Sequence, residues 1–278
     1  MAVNYAVKYS PNVDERFTKE SQSMLGCGGK VDFTGVKTVK VYSFPTVPMQ
    51  DYNRTAASNR YGTPSNLEDV AQEMTVTKDR SFTYVIDRMD RDETQMTHDA
   101  GKALARQISE VVKPEVDAYT FGVMATAAEN AGGIKTASPT KSNAYELFLG
   151  GTEYLGDNLI PDKGRIAFCS YKFANLLKQD PAFVRYGDAS QAMLQRGEIG
   201  EVDAVKIVMV PASRLPENTH CILVHPSACV QAMRLQDYKT HDNPPGVNGW
   251  LVEGRIVYDA FVFDSKKTGL YVIKSSAA

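Results

Sequence analysis

Pro45-Thr46-Val47-Pro48-Met49-Gln50-Asp51-Tyr52-Asn53-Arg54-Thr55, continued by Ser58-Asn59-Arg60-Tyr61-Gly62-Thr63-Pro64, is polar, rich in Pro, Gly, Asn and Tyr, and has no hydrophobic period. Residues 31–44 before it alternate as a strand does, Val39 and Val41 on one face and Lys40, Tyr42 and Phe44 on the other. Residues 73–87 after it read as one returning strand. Met74 and Val76 alternate with Thr75 and Thr77, then Phe82, Tyr84 and Ile86 with Thr83 and Val85. Structureless stretches longer than about 12–15 residues are uncommon inside compact domains and usually functional or disordered. Between two strands, this one reads as the tip of a long projecting hairpin. A lone hairpin is marginally stable in water, so the pattern predicts that the tip, Asp51 to Asn66, lies on a neighbouring subunit. Arg54 and Arg60 are the candidates to meet carboxylates there, and Tyr52 and Tyr61 to supply contact area at low entropic cost.

Upstream, residues 1–30 read as an arm. Scattered apolar residues bury too little to fold alone, and Gly26-Cys27-Gly28-Gly29 reads as a flexible joint. Downstream, Asp87-Arg88-Met89-Asp90-Arg91-Asp92-Glu93 is a dense charge run, read as a solvated or interface face with Arg88, Asp90, Arg91 and Asp92 as contact candidates. An EF-hand loop counted from Asp87 would need Gly and Glu where Asp92 and His98 stand.

A long helical pattern follows from about Thr94 to Glu129, carried by Ala100, Leu104, Ile108, Val111, Val112, Tyr119 and Val123. Asn130-Ala131-Gly132-Gly133 stops it, and Pro114 predicts a kink or break. At 1.5 Å per residue such an element spans roughly 50 Å, a spine suited to an elongated subunit. Its expected inner face is Leu104, Ile108 and Val111, with Lys102 and Arg106 opposite. Residues 141–230 read as a compact α/β unit: a helix capped by Asn143 with Glu146, a strand from Arg165 to Ser170, a helix from Lys172 to Lys178, and strands from Val205 to Val210 and Cys221 to Val224. The chain closes on strand-forming segments at Trp250-Leu251-Val252, Arg255 to Phe263 and Leu270 to Ile273.

The 278 residues allow one large domain or two modest ones. No apolar run approaches the roughly 20 residues a membrane span needs. The first residues, Met1-Ala2-Val3-Asn4-Tyr5, predict no signal peptide and hence folding in a cytoplasm. With 31 basic against 33 acidic residues, contact with nucleic acid is expected to be weak and nonspecific. The four cysteines show no CxxC pairing and read as free, mostly buried thiols.

No cofactor, metal or catalytic residue emerges. Leu25-Gly26-Cys27-Gly28-Gly29-Lys30 has Met24 and Val31 where a phosphate loop needs Gly and Ser or Thr, and it precedes a strand. His220, Cys221, His225 and Cys229 do not have zinc-finger spacing. GxSxG, HExxH and dinucleotide fingerprints are absent from the sequence. The expectation is a structural protein and not an enzyme.

The order of elements resembles the major capsid proteins of tailed bacteriophages with the Hong Kong 97-type fold. The resemblance is carried by Tyr5-Ala6-Val7-Lys8-Tyr9-Ser10-Pro11-Asn12-Val13-Asp14-Glu15-Arg16-Phe17 in the arm and by Phe33-Thr34-Gly35-Val36-Lys37-Thr38-Val39-Lys40-Val41-Tyr42 with Asp79-Arg80-Ser81-Phe82-Thr83 in the hairpin. Gly101-Lys102-Ala103-Leu104 with Val111-Val112-Lys113-Pro114-Glu115-Val116-Asp117 carries it in the spine, Val208-Met209-Val210-Pro211-Ala212-Ser213-Arg214 before the return, and Tyr258-Asp259-Ala260-Phe261-Val262-Phe263-Asp264 in the tail. It implies an α+β fold with an N-terminal arm (1–30), an extended β-hairpin loop (31–90), a peripheral domain with a long spine helix (91–135), an axial α/β domain (136–235) and a return to the peripheral domain (236–278). It also implies a homo-oligomeric shell of hexamers and pentamers around double-stranded DNA, a portal protein, and assembly in a bacterial host. Decoration proteins stay open. Only about 30 residues precede the hairpin, so the resemblance implies a separate scaffolding protein. An encapsulin-type compartment shell is the alternative within the same fold.

Overall fold

The computed structural model describes residues 21–29, 31, 38–43, 46–55, 57–64, 66, 70–89, 106–181, 200–246 and 248–276, with backbone alone at 234–238 and 240. The arm up to residue 20, Asp90, Arg91, Asp92, Lys102 and Leu104 lie outside the described residues.

Strands β1 (Thr38–Ser43) and β2 (Val70–Thr75) form an antiparallel pair, from Thr38 opposite Thr75 to Ser43 opposite Val70. This is the hairpin that the alternation predicts. The return differs from one strand over 73–87. It breaks at Val76 and Thr77, where the Asp259 carboxylate accepts both the Thr77 N–H and its hydroxyl at 2.8 Å. Strand β3 (Lys78–Asp87) then joins a second sheet. Period alone carries no register partner, so two strands in line read as one.

The spine differs as well. Helix α1 (Lys113–Asn130) is preceded by a π-turn over Ile108–Val112, whose wide bond runs from the Lys113 N–H to the Ile108 carbonyl. Pro114 has no N–H to give the preceding turn. The π-turn accommodates this and the helix continues, so there is no break. The extra residue also rotates the phase. Val111 is exposed, contrary to its expected place on the inner face. The inner arc is Val116, Asp117, Thr120, Phe121, Met124, Ala125 and Ala128.

The remaining elements are β4 (Ile134–Thr136), α2 (Ala144–Asp157), β5 (Ile166–Ser170), α3 (Tyr171–Gln179), β6 (Glu201–Val202), β7 (Val205–Val210), β8 (Thr219–Val224), β9 (Cys229–Asp242), β10 (Gly249–Val262) and β11 (Leu270–Lys274). A six-stranded mixed sheet runs β4-β11-β8-β5-β7-β6, and a three-stranded antiparallel sheet runs β3-β10-β9. β5 is central and wholly buried, and its alternation splits between the two faces. Ala167 and Cys169 pack with Phe148, Phe173 and Leu177 of α2 and α3, whereas Ile166 and Phe168 pack with Phe121, Met124 and Ala128 of α1. The earlier half of α1 (Val116 and Tyr119), with Val112 of the π-turn, instead packs on Ile256 and Tyr258 of β10. The spine thus bridges both sheets. Of the last strands, β11 pairs with β8 and β4 in the six-stranded sheet, and β10 lies in the three-stranded one.

Helix α2 starts without the expected Asn143 cap. Asn143 Oδ1 accepts the Thr140 N–H at 2.7 Å, and the buried Asp180 carboxylate accepts the Tyr145 N–H at 3.0 Å. A carboxylate there suits the helix dipole.

Candidate assembly surfaces

The hairpin is tied to the body at its base and open at its tip. On its inner side Met74 is fully buried against Val230 and Phe263. Gln72 clamps the tail through both ends of its amide: Nε2 donates to the Val262 carbonyl at 2.9 Å, and Oε1 accepts the Asp264 N–H at 3.0 Å. The outer face carries the Lys40–Glu73 ion pair, the Thr38–Thr75 hydroxyl pair and an exposed Tyr42.

The tip holds a defined shape through local bonds. The Gln50 side chain clasps the opposite limb, with Oε1 accepting the Thr63 N–H at 2.9 Å and Nε2 donating to the Thr63 carbonyl at 3.4 Å. Gly62, at φ +88°, permits this, because a Cβ there would fall 1.6 Å from Gln50 Oε1. The Asn53 N–H donates to the Arg60 carbonyl at 3.0 Å, and Asn53 Oδ1 accepts the Thr55 N–H and hydroxyl. Tyr52 and Tyr61 meet edge to face at 4.9 Å. The structure thus brings these two candidates together, and both stay exposed, Tyr61 at 85%. Arg54 and Arg60 are exposed on the same tip. Met49 is wholly exposed and Val47 half exposed, an apolar knob that the polarity of the segment concealed.

Arg88 is half exposed and has partners within the chain. It pairs with Asp242 at 3.2 Å and its guanidinium lies 5.4 Å from the Trp250 ring centroid.

The end of the arm, residues 21–29, packs on the body in a way that the sequence did not disclose. Ser23–Gly26 forms one 3-10 turn against α1. Its anchor is Asp117, fully buried, which accepts the Ser21 hydroxyl at 2.7 Å, the Ser23 hydroxyl at 2.6 Å, the Gln22 and Ser23 N–H groups, and Arg214 Nη1 at 2.8 Å. Gly26-Cys27-Gly28-Gly29 is a packed seam and not a free joint. Gly28 and Gly29 donate to the Pro226 and Cys229 carbonyls, and a Cβ on Gly29 would fall 2.3 Å from Val230 Cγ2. Glycine is there for close approach. The clue to Asp117 is a carboxylate within the apolar arc of a helix, four residues before Phe121.

The titratable groups serve structure. Burial, then the hydrogen bond to Glu115, pushes the Tyr258 phenol up. Burial and the hydrogen bond to Asp259 do the same to Tyr119. Burial, then Asp117, pushes the Cys27 thiol up to about 12. His220 bonds Ser275 at 2.6 Å, His225 bonds Ser227 at 2.7 Å, Cys221 faces Cys169, and Cys229 packs in a different apolar cluster from Cys221, so these four residues do not converge. Among the described residues no group of three or more His, Cys, Asp or Glu could hold a metal ion. Among them, too, no helix is long and apolar enough to cross a membrane.

No protein-family model matches the sequence. No curated protein matches it either. Solved structures do match. One from Mycobacterium phage Che8 is 16% identical, with a TM-score of 0.78 over 97% of this chain and 96% of that one. The capsid structure of cyanophage P-SCSP1u is 11% identical, with a TM-score of 0.77 over 99% and 94%. The asymmetric unit of the mature capsid of bacteriophage PhiM1 is 14% identical, with a TM-score of 0.71 over 99% and 93%. Over nearly its whole length, the chain has the fold of these phage structures, two of which are capsids.

Proposed function

We propose that the chain is a major capsid protein that self-assembles into the icosahedral head shell of a tailed bacteriophage, around its double-stranded DNA. The observation that carries this is the whole-chain likeness to phage capsid structures, which leaves almost no part of either chain over. In the Hong Kong 97-type reading, residues 1–30 are the arm, 31–90 the extended loop, 91–135 the peripheral domain with its spine, 136–235 the axial domain and 236–278 the return. The six-stranded sheet then lies in the axial domain, which also takes β11 from the return. The reported neighbours favour this over an encapsulin-type compartment shell. The role is structural and not enzymatic. The subunit is expected in the virion after assembly in the bacterial cytoplasm, as hexamers and pentamers, with separate scaffolding and portal proteins. Contact with packaged DNA is nonspecific, in keeping with a net charge of −2.

Tyr52, Arg54, Arg60 and Tyr61, with the Val47–Met49 knob, are the contacts proposed to lie across a neighbouring subunit; Arg88, Asp90, Arg91 and Asp92 are the second proposed contact set. The test is deletion of 51–66, read by circular dichroism, sedimentation and negative-stain imaging beside the wild-type chain. A folded subunit that no longer closes shells is expected. Normal shells from the deletion variant would overturn the contact assignment. A wild-type chain that forms no shell, even with scaffolding protein, would overturn the function.

A further inference from the structure

Cys169 on β5 and Cys221 on β8 are direct cross-strand partners. Their sulfurs are 3.1 Å apart, both side chains are fully buried, and both are free thiols. We propose that they are a latent cross-strand disulfide, a thiol pair held in bonding register that a small disulfide oxidant converts into a covalent staple between two central strands.

The backbone already meets the requirement. Directly opposed residues of an antiparallel pair have Cα atoms about 4.5 or 5.5 Å apart, and both values lie within the range a disulfide spans. Closing the sulfurs from contact to a bond of about 2.05 Å moves each by roughly half an ångström. The register is fixed from both sides, since β5 also pairs with β7 and β8 with β11. The other cysteines, Cys27 and Cys229, pack in the cluster on the opposite face of the sheet and serve as an internal control.

With glutathione disulfide as oxidant, one cysteine thiolate attacks a glutathione sulfur and expels one glutathione thiolate. The second cysteine thiolate attacks the protein-side sulfur of the mixed disulfide and expels the other. Two protein thiols lose two electrons and two protons, and one glutathione disulfide becomes two glutathiones. Burial and the contact with Cys169 push the Cys221 thiol up, so the folded chain reacts slowly. The staple forms as the strands come together or reopen. The inference does not depend on shell assembly.

The full chain is unfolded, refolded in a glutathione redox buffer, alkylated under denaturing conditions and mapped by peptide mass spectrometry. Two alkylated cysteines and a Cys169–Cys221 linked peptide, dissolved by dithiothreitol, are expected, with a higher thermal midpoint than the reduced chain. Cys27→Ser keeps the link and Cys221→Ser abolishes it. Four alkylated cysteines in natively folded protein, or a Cys27–Cys229 link, would overturn the proposal. If refolding aggregates, the same mapping on folded protein opened in sub-denaturing urea with the oxidant decides by the same two results.

Discussion

Replacing Asp117 by Ala removes the acceptor on which the end of the arm, the spine and the turn at Arg214 converge. Arg214 is 5% exposed and would keep a buried charge without its carboxylate. Breaking a buried ion pair by deleting one partner typically costs about 3–5 kcal/mol. The lost bonds from Ser21, Gln22 and Ser23 add little beyond that, because a short segment can open locally and bond water in their place. Asp117→Ala is therefore expected to lower the unfolding free energy of the subunit in a urea titration by about 3–5 kcal/mol. Amide exchange should accelerate over Ser21 to Gly29 before it does so in β5. Replacing both partners, Asp117→Leu with Arg214→Met, should recover much of the loss, since apolar substitutes for a whole buried pair are often neutral. A single-variant loss under about 1 kcal/mol, with unchanged exchange over 21–29, would refute the view that this carboxylate anchors the segment.

Gly29→Val should overpack the seam against Val230, Phe263 and the Cys229 carbonyl, costing about 1–3 kcal/mol in a thermal or urea melt; a wild-type midpoint would mean that the seam is loose. The subunit should also lose stability as pH rises above about 10. Tyr119, Tyr154, Tyr258 and Tyr271 are all raised in the folded state, chiefly by burial. The folded form then holds protons that the unfolded form releases, so the stability they contribute is complete below pH 10 and fades above it. Urea midpoints at pH 9 and 11 check this, with a shallower fall for Tyr258→Phe; equal midpoints would contradict it.

The hairpin, the spine and most of the α/β unit were legible because their patterns are local. Alternation at Val39 and Val41, and the apolar runs at Val205 to Val210 and Cys221 to Val224, are enough to specify strands. β9 was not legible as one long strand, because its apolar residues gather between Cys229 and Leu235 while Gln236 to Asp242 is polar but for Tyr238, as a strand in a small antiparallel sheet can be. The break at Thr77 depends on Asp259, 182 residues away, and no window of sequence holds both. The spine phase failed at Val111 because an α-helical period cannot foresee a π-turn. The candidate tip residues were found by what the segment lacks, a core period. The apolar knob at Val47 and Met49 was missed for the same reason, since two apolar residues in a polar loop look incidental until both prove exposed.

The central claim is that this chain closes into a shell through its projecting hairpin. Electron cryomicroscopy of particles formed by the purified chain, with scaffolding protein if needed, tests it most directly. Hollow icosahedral shells of hexamers and pentamers are expected, with the Tyr52–Tyr61 tip lying across a neighbouring subunit. Monomers or small open oligomers under all assembly conditions, or shells in which the tip touches no neighbour, would contradict it.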